Sequence, residues 1–458
     1  MPLQDQNTLR NLAVAKLLFF CGSMGGVGWS RFQNVFYLEH GMNASQIGIL
    51  KSIGMILKIF GEPFWCIVAD VTESHKVLFA VCILMQIGTL EMLRWIPINF
   101  GTILLVKILR TTTAPSGTFT TTACFALTKG SKEGYGQQRM FGALAWGGGA
   151  LLVGFLVDWL GMGTIFWYTN FFNATTLLLV FFAIPAHMFR RDHVPGQGSG
   201  SSGELRLDRD SDGASGGPRR QSSVTAFGCE SSVRRYLAEL RRFLRYRPCR
   251  ALLLYALLYG VVMTVPDTFL YVSLERDFHA SRTFSGLCTL LSTLSELPVF
   301  WYSDRLLRRH GHRRAMTIAQ IALAARLAAY ALLPPSWPAS LTFIAMAQLT
   351  HGAAFALFWA AAVDAVRLLA PPGLGAGSLA ALNTFYFTLA GASGSAAWGF
   401  AYDAGGAVSV YIGGMAALAA ASLHLLLHAG LLDRALAAAI ADVDMAPLVD
   451  IEADGHPS

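Results

Sequence analysis

The amino-acid sequence predicts an all-α polytopic membrane protein, with twelve transmembrane helices in two pseudo-symmetric six-helix bundles. Three observations carry that prediction. Of the 458 residues, 54% are hydrophobic and 14% charged, whereas a soluble domain carries about 25% charged residues. Apolar runs of about 20 residues, the length that crosses a hydrocarbon core roughly 30 Å thick, recur along the whole chain. Short motifs of the first half also return in the second.

In chain order the first six runs lie near 12–38, 45–69, 77–96, 100–127, 139–160 and 164–188. They are closed in turn by Glu39-His40-Gly41, the polar stretch Asp70 to Lys76, Pro97, Lys129 to Glu133, Gly161 to Gly163, and Arg190-Arg191. The second six lie near 250–274, 283–303, 315–333, 338–366, 377–401 and 408–432. Arg276-Asp277, Asp304 to Arg314, Pro334-Pro335, Arg367 to Pro372, Asp403 to Gly406 and Asp433-Arg434 separate or end them. The chain thus divides into a tail (1–11), a six-helix bundle (12–189), a middle loop (190–248), a second six-helix bundle (249–432) and a second tail (433–458). The opening residues are polar and lack an Ala-x-Ala-like cleavage site, so Ala13 onward reads as the first span and not as a removed signal.

An even number of spans puts both termini on one side, and the basic residues say which. Arg10, Lys76, Lys129, Lys132, Arg139, Arg305, Arg308, Arg309, Arg313, Arg314, Arg367 and Arg434 fall on the same side as the termini, against Arg276 and Arg282 on the other. The positive-inside rule then makes both termini cytoplasmic, without distinguishing the plasma membrane from an organelle. The same distribution explains the net charge of +7 without a nucleic-acid partner. Seven cysteines, mostly within apolar runs and never spaced CxxC, give neither a disulfide framework nor a zinc site.

The middle loop is too polar to bury a core, and disorder is expected to about Ser231. Its GxGxxG match, Gly198 to Gly203, has no strand before it or helix after it and reads as chance. Over 231–247 the pattern changes. Leu237, Leu240, Phe243 and Leu244 share one helical face, while Arg234, Arg235, Arg241, Arg242 and Arg245 lie largely elsewhere. That pattern fits an interfacial helix drawn to anionic lipid headgroups; a solvated basic helix is the plainer alternative.

Two corners of the sequence repeat. Gly61-Glu62-Pro63-Phe64-Trp65 followed by Ala69-Asp70 in span 2 returns as Ser295-Glu296-Leu297-Pro298-Val299-Phe300-Trp301 followed by Ser303-Asp304 in span 8. Basic residues follow each copy, Lys76 in one and Arg308 with its neighbours in the other. Gly154-Phe-Leu-Val-Asp158 ending span 5 matches Gly399-Phe-Ala-Tyr-Asp403 ending span 11. Duplicated halves with a site between them are the architecture of alternating-access carriers. Gly391, Ser395 and Gly399, like Ala143, Gly147, Ala150 and Gly154, give these spans faces that neighbouring helices approach closely.

At these residues the sequence resembles the major facilitator superfamily, whose loop after helix 2 carries a comparable acidic corner with a following basic residue. The resemblance implies gating roles for Asp70, Lys76, Asp304 and Arg308. A nearer resemblance is to the MFS-1-like branch that includes the lactose permease. It rests on Tyr135-Gly-Gln-Gln-Arg139-Met-Phe-Gly-Ala-Leu-Ala-Trp146 at the start of span 5 and on Thr350-His351-Gly-Ala-Ala-Phe-Ala-Leu-Phe-Trp359 in span 10. It covers nearly the whole chain apart from the middle loop and tails. It implies a substrate site at Arg139, Trp146, Gln348 and His351, and coupling residues at Glu296, Arg326 and His351. The sequence departs from the branch in having Thr121 in the region of an acidic residue of span 4, Gln348 in place of a lysine and Ala354 in place of a glutamate. The resemblance therefore supports the fold and the place of the site more than a lactose-like substrate.

Read from the residues alone, an ionisable group at mid-membrane costs at least about 2.5–3.5 kcal/mol, so it faces the interior and has a partner. Glu296 and Arg326 lie midway along spans 8 and 9, and relative movement of the two would load and release a proton; a static ion pair is the alternative. Asp267, after Pro266 in span 7, is a second candidate proton site, and Glu62 a third. Glu62 shares a helical face with Lys58 and Lys51, and an internal Lys58–Glu62 pair is the simpler account. His351 suits either titration near neutrality or a structural hydrogen bond. Arg139 and Trp146, two turns apart, suit a cation beside an aromatic platform. Lys107 and Arg110 form a second basic cluster, snorkelling or anion-binding.

The expectation is a monomeric secondary transporter that moves a small polar organic solute, such as a sugar, nucleoside or organic acid, in symport with protons by alternating access. An uncoupled facilitative carrier and a transport-inactive receptor on the same fold are the alternatives. No HExxH or GxSxG lies on any span, so enzymatic chemistry is not expected, and nothing calls for a cofactor.

Overall fold

A computed structural model of the full chain describes residues 3–72, 74–112, 116–128, 135–184, 238–371 and 374–453. Among them each predicted span is a helix. In chain order these are α1 (Leu3–Glu39), α2 (Ala44–Thr72), α3 (His75–Trp95), α4 in two described pieces (Phe100–Thr112 and Ser116–Thr128), α5 (Tyr135–Leu160) and α6 (Thr164–Ala183). The second half holds α7 (Arg247–Arg276), α8 (282–310), α9 (312–332), α10 (Ser340–Leu368), α11 (375–405) and α12 (407–453).

Two connections differ from expectation. The charged stretch 304–314 is helical, so α8 and α9 run past the apolar run and meet at Gly311. Gly406 joins α11 to α12 in the same way. Both glycines have positive φ, 74° and 72°, a conformation that a side chain disfavours. The bend at Gly311 is sharp: Glu296 and Arg326, equidistant from it along the chain, both reach His351. α12 also continues as helix through Ala453, well beyond its apolar run.

Three spans of the second half carry a wide, π-type turn: Val265–Phe269 in α7, Gly352–Leu357 in α10 and Thr384–Leu389 in α11. In α7, Pro266 removes a backbone donor at that turn. Such turns gather at functional sites.

The second half is held by one apolar core centred on Tyr255, Tyr259, Phe269, Phe358 and Tyr411. The first half holds two, one around Trp29, Phe36 and Phe166, the other around Phe79, Phe119 and Val180. The helix over 238–245 packs onto the core of the second half: Phe243 is buried there, with Leu240 and Leu244 against it. Protein therefore covers the apolar face that the sequence directs to lipid, while Arg241, Arg242 and Arg245 stay exposed. The remainder of that segment, 231–237, lies outside the described residues.

Between the halves, α5 meets α8 and α2 meets α11. A Cβ at Gly154 would collide with the Arg282 carbonyl, and one at Gly399 with that of Ala44. Without a hydrophobic drive between helices in lipid, this backbone proximity is what lets dispersion hold them.

Candidate functional site

Arg326 on α9 is only 2% exposed, and its donors go to neutral groups. Its Nε donates to the Tyr330 hydroxyl at 2.6 Å, its Nη1 to His351 Nδ1 at 2.7 Å, and its Nη2 to Gln348 Oε1. Because a guanidinium only donates, His351 Nδ1 is an acceptor and the ring proton sits on Nε2. That nitrogen lies 3.1 Å from Glu296 Oε1 on α8. Glu296 and Arg326 are thus joined through His351 instead of touching as a direct pair. Gln348 on α10 is fully buried and committed: Oε1 also accepts from Ser292 at 3.1 Å, and Nε2 donates to Tyr330 Oη at 2.7 Å and to the Ile344 carbonyl at 3.0 Å.

This line of side chains forms one wall of a cavity of about 190 Å³ between the halves. Glu296, Arg326, His351 and Asp267 line it from the second half, and Arg31 and Trp146 from the first. Asp267 is carried by the wide turn of α7. Beside it, Thr268 accepts a hydrogen bond from Lys51 Nζ of α2, a polar contact across the seam.

Arg31 was not signalled by any motif. Its guanidinium stands 4.9 Å from the Tyr271 ring and 5.9 Å from the Trp146 ring, within reach of a cation–π attraction. The cation on the Trp146 platform is therefore Arg31 of α1, while Arg139 is exposed and does not line the cavity. The signal in the sequence is the charge itself, a lone arginine inside the first apolar run with no counterpart in the repeat.

Other predicted residues lie elsewhere. Glu62 is half-buried on α2, away from the cavity lining, and no ion pair joins it to Lys58 among the described residues. Lys76 Nζ donates to the carbonyls of Phe181 and Ile184 at 2.9 and 2.7 Å, closing the C-terminal end of α6 as a cation there should. The side chain of Asp70 lies outside the described residues. Asp304 and Arg308 are both exposed on the extension of α8. Thr121 returns its hydroxyl to the Gly117 carbonyl, and the carbonyl of Ala354 accepts from Tyr259.

The repeated acidic corners form the contacts that close one end of the seam. Asp158 accepts from Arg282 N at 2.9 Å, from Thr283 N at 2.7 Å and from Thr283 Oγ1 at 2.6 Å, capping the start of α8. Asp403 accepts from Ala44 N at 3.0 Å, from Ser45 N at 2.8 Å and from Ser45 Oγ, capping the start of α2. Each carboxylate caps a helix of the other half, where exposed N–H groups and the helix dipole favour an anion. Arg282 adds ion pairs to Glu39 at 2.8 Å and Glu275 at 2.5 Å.

Comparison with known proteins agrees with this architecture. Residues 10–413 match the MFS_1 like family. The maltose permease of Geobacillus stearothermophilus is 26% identical over 338 residues, 73% of either chain. Among solved structures, the nucleoside transporter NupG superposes with a TM-score of 0.66 at 15% identity, over 93% of this chain and 98% of its own. A POT family transporter in complex with 5-aminolevulinic acid superposes with a TM-score of 0.63 at 11% identity, over 92% and 96%. At such identities the structures speak for the fold alone.

Proposed function

The chain belongs to the MFS_1 like family, and from that premise we propose that it is a proton-coupled symporter of a small polar organic solute. The observation that carries this reading is the line Arg326–His351–Glu296, set into the wall of a cavity between the two halves. A carboxylate that reaches a fixed cation only through an imidazole has two stable arrangements. Ionised, it accepts the Nε2 proton of His351; protonated, it gives up that bond and frees the ring. Solute entering beside Asp267 and Arg31 favours one of these, which couples the proton to the solute.

Alternating access follows from the caps. With Asp158 and Asp403 holding the starts of α8 and α2, the cavity is closed from that end. Release of both caps, with the halves rocking about the seam, opens it. The positive-inside rule makes the capped end the outer one and the termini cytoplasmic.

The test is uptake by full-length protein in liposomes with an imposed pH gradient. One proton moving through 100 mV supplies about 2.3 kcal/mol, enough for roughly fifty-fold accumulation. Glu296→Gln, which keeps the shape and loses the proton site, abolishes accumulation above equilibrium while exchange of solute persists. Gradient-driven accumulation that survives Glu296→Gln removes Glu296 as the coupling residue.

A further inference from the structure

Away from the cavity between the halves, a groove of about 540 Å³ runs between the start of α7 and the far end of α12, beside the end of the middle loop. Arg245, Arg247 and Arg434 stand around it, and its apolar lining comes from Pro248, Leu431, Ala435 and Ala438. We propose that this groove binds an anionic phospholipid of the surrounding bilayer. The three arginines receive its phosphate, the two alanines leave room for the headgroup, and an acyl chain starts along Leu431 and Pro248.

No acidic side chain lines the groove. All three arginines are exposed, and among the described residues none has a carboxylate partner. Arg434 Nε donates to the Gly430 carbonyl of its own helix at 2.8 Å. Asp433, its neighbour in sequence, pairs instead with Arg313 of α9 at 2.9 Å. Three guanidiniums thus converge on one recess without an anion of the described chain to balance them.

The position of the groove selects the kind of anion. The apolar run of α7 begins near 250 and that of α12 ends near 432, so the groove lies where hydrocarbon gives way to headgroups. Tyr246, which also lines it, is 48% exposed, as an aromatic side chain at that level commonly is. One turn further into α7, the Ala251 carbonyl accepts from His424 Nε2 of α12 at 2.9 Å, which holds the two walls together. A soluble anion would use the arginines and leave the apolar lining wet; an uncharged lipid would cover the lining and leave the arginines unanswered. An anionic phospholipid answers both, and its phosphate oxygens match the planar guanidinium fork. Lipid therefore meets this segment through the groove, and not through the face of Leu240, Phe243 and Leu244, which is packed on protein.

The experiment is native mass spectrometry of the full-length protein, delipidated in detergent and titrated with dioleoyl phosphatidylglycerol or dioleoyl phosphatidylcholine. The expected result is one phosphatidylglycerol held more tightly than any phosphatidylcholine. Arg245→Gln, Arg247→Gln and Arg434→Gln each weaken that binding about five-fold. Arg434→Lys retains most of it, which separates loss of the charge from loss of the fold. Ala438→Phe narrows the groove without touching the charge and weakens binding as well. Arg309→Gln and Arg314→Gln, at exposed positions outside the groove, leave it unchanged. An equal loss in these two variants would mean diffuse attraction to a basic surface and would overturn the site. Equal retention of the two lipids overturns it too, as does displacement of phosphatidylglycerol by excess inorganic phosphate, which would make the groove a site for soluble anions. The same spectra report the oligomeric state: a dimer that dissociates on Arg434→Gln, with lipid retention unchanged, assigns the groove to another copy of the chain and overturns the lipid. None of these outcomes depends on which solute the carrier moves.

Discussion

Gln348 meets four groups at once: it accepts from Arg326 and Ser292, and donates to Tyr330 and to the Ile344 carbonyl. A side chain so fully committed orients the guanidinium of Arg326 and has no donor left for a solute. These bonds suit Gln348 to positioning Arg326. Gln348→Leu leaves buried donors of Arg326 and Ser292 without an acceptor, at a cost of about 1–3 kcal/mol. Thermal unfolding in detergent should show the loss, and proton coupling should fall with it because His351 and Arg326 lose register. An unshifted melting curve would argue that water or a rotated side chain takes over each bond. Glu296, Arg326 and His351 were individually legible, since charged residues at mid-span demand partners. Their order was not legible, because sequence cannot show that an imidazole stands between acid and base.

At the scale of elements, the seam is made by pairs of helices, each with a small-residue face and a carboxylate at its end. Asp158→Ala and Asp403→Ala each remove an N-terminal cap, a change that costs about 0.5–2 kcal/mol. Both together should shift the equilibrium towards a form open at that end. Spin labels at His40 and His279, in loops of opposite halves, would report a longer distance population in the double variant. An unchanged distance distribution would mean that the Arg282 ion pairs and the glycine contacts suffice to hold the end closed. The matching Gly-x-x-x-Asp corners were visible in the sequence as a repeat. That each caps a helix of the opposite half was not, since it depends on how two bundles are docked. The bend at Gly311 escapes a hydropathy reading for a local reason: the charged stretch 304–314 reads as a loop, yet its leucines and arginines are good helix formers and continue the helix until Gly311 turns it.

The whole molecule is a membrane-spanning bundle of two halves, with charged side chains of both lining the cavity between them. Arg31 lines the cavity from the first half, and Asp267, Glu296, Arg326 and His351 line it from the second. The proposed orientation, with the basic ends of the spans inside, has both termini and the middle loop on the cytoplasmic side. Epitopes at either terminus and within 190–237 should accordingly be reached in intact cells only after the plasma membrane, or the organelle that holds the protein, is permeabilised. Access to one terminus before permeabilisation would contradict an even number of spans. The basic helix over 238–245 belongs to this scale too, because its apolar face packs on the second-half core and so links the middle loop to that bundle.

Sequence by itself determined the helical class, the twelve spans, the duplication and the mid-membrane charges. Each of these follows from transfer free energy and chain period, which are local quantities. Tertiary structure alone decided that Arg31 occupies the aromatic platform, that His351 separates Glu296 from Arg326, and that two acidic corners lock the halves together. Those facts arise where side chains distant in sequence compete for the same few ångströms, and only the packed chain settles such a competition.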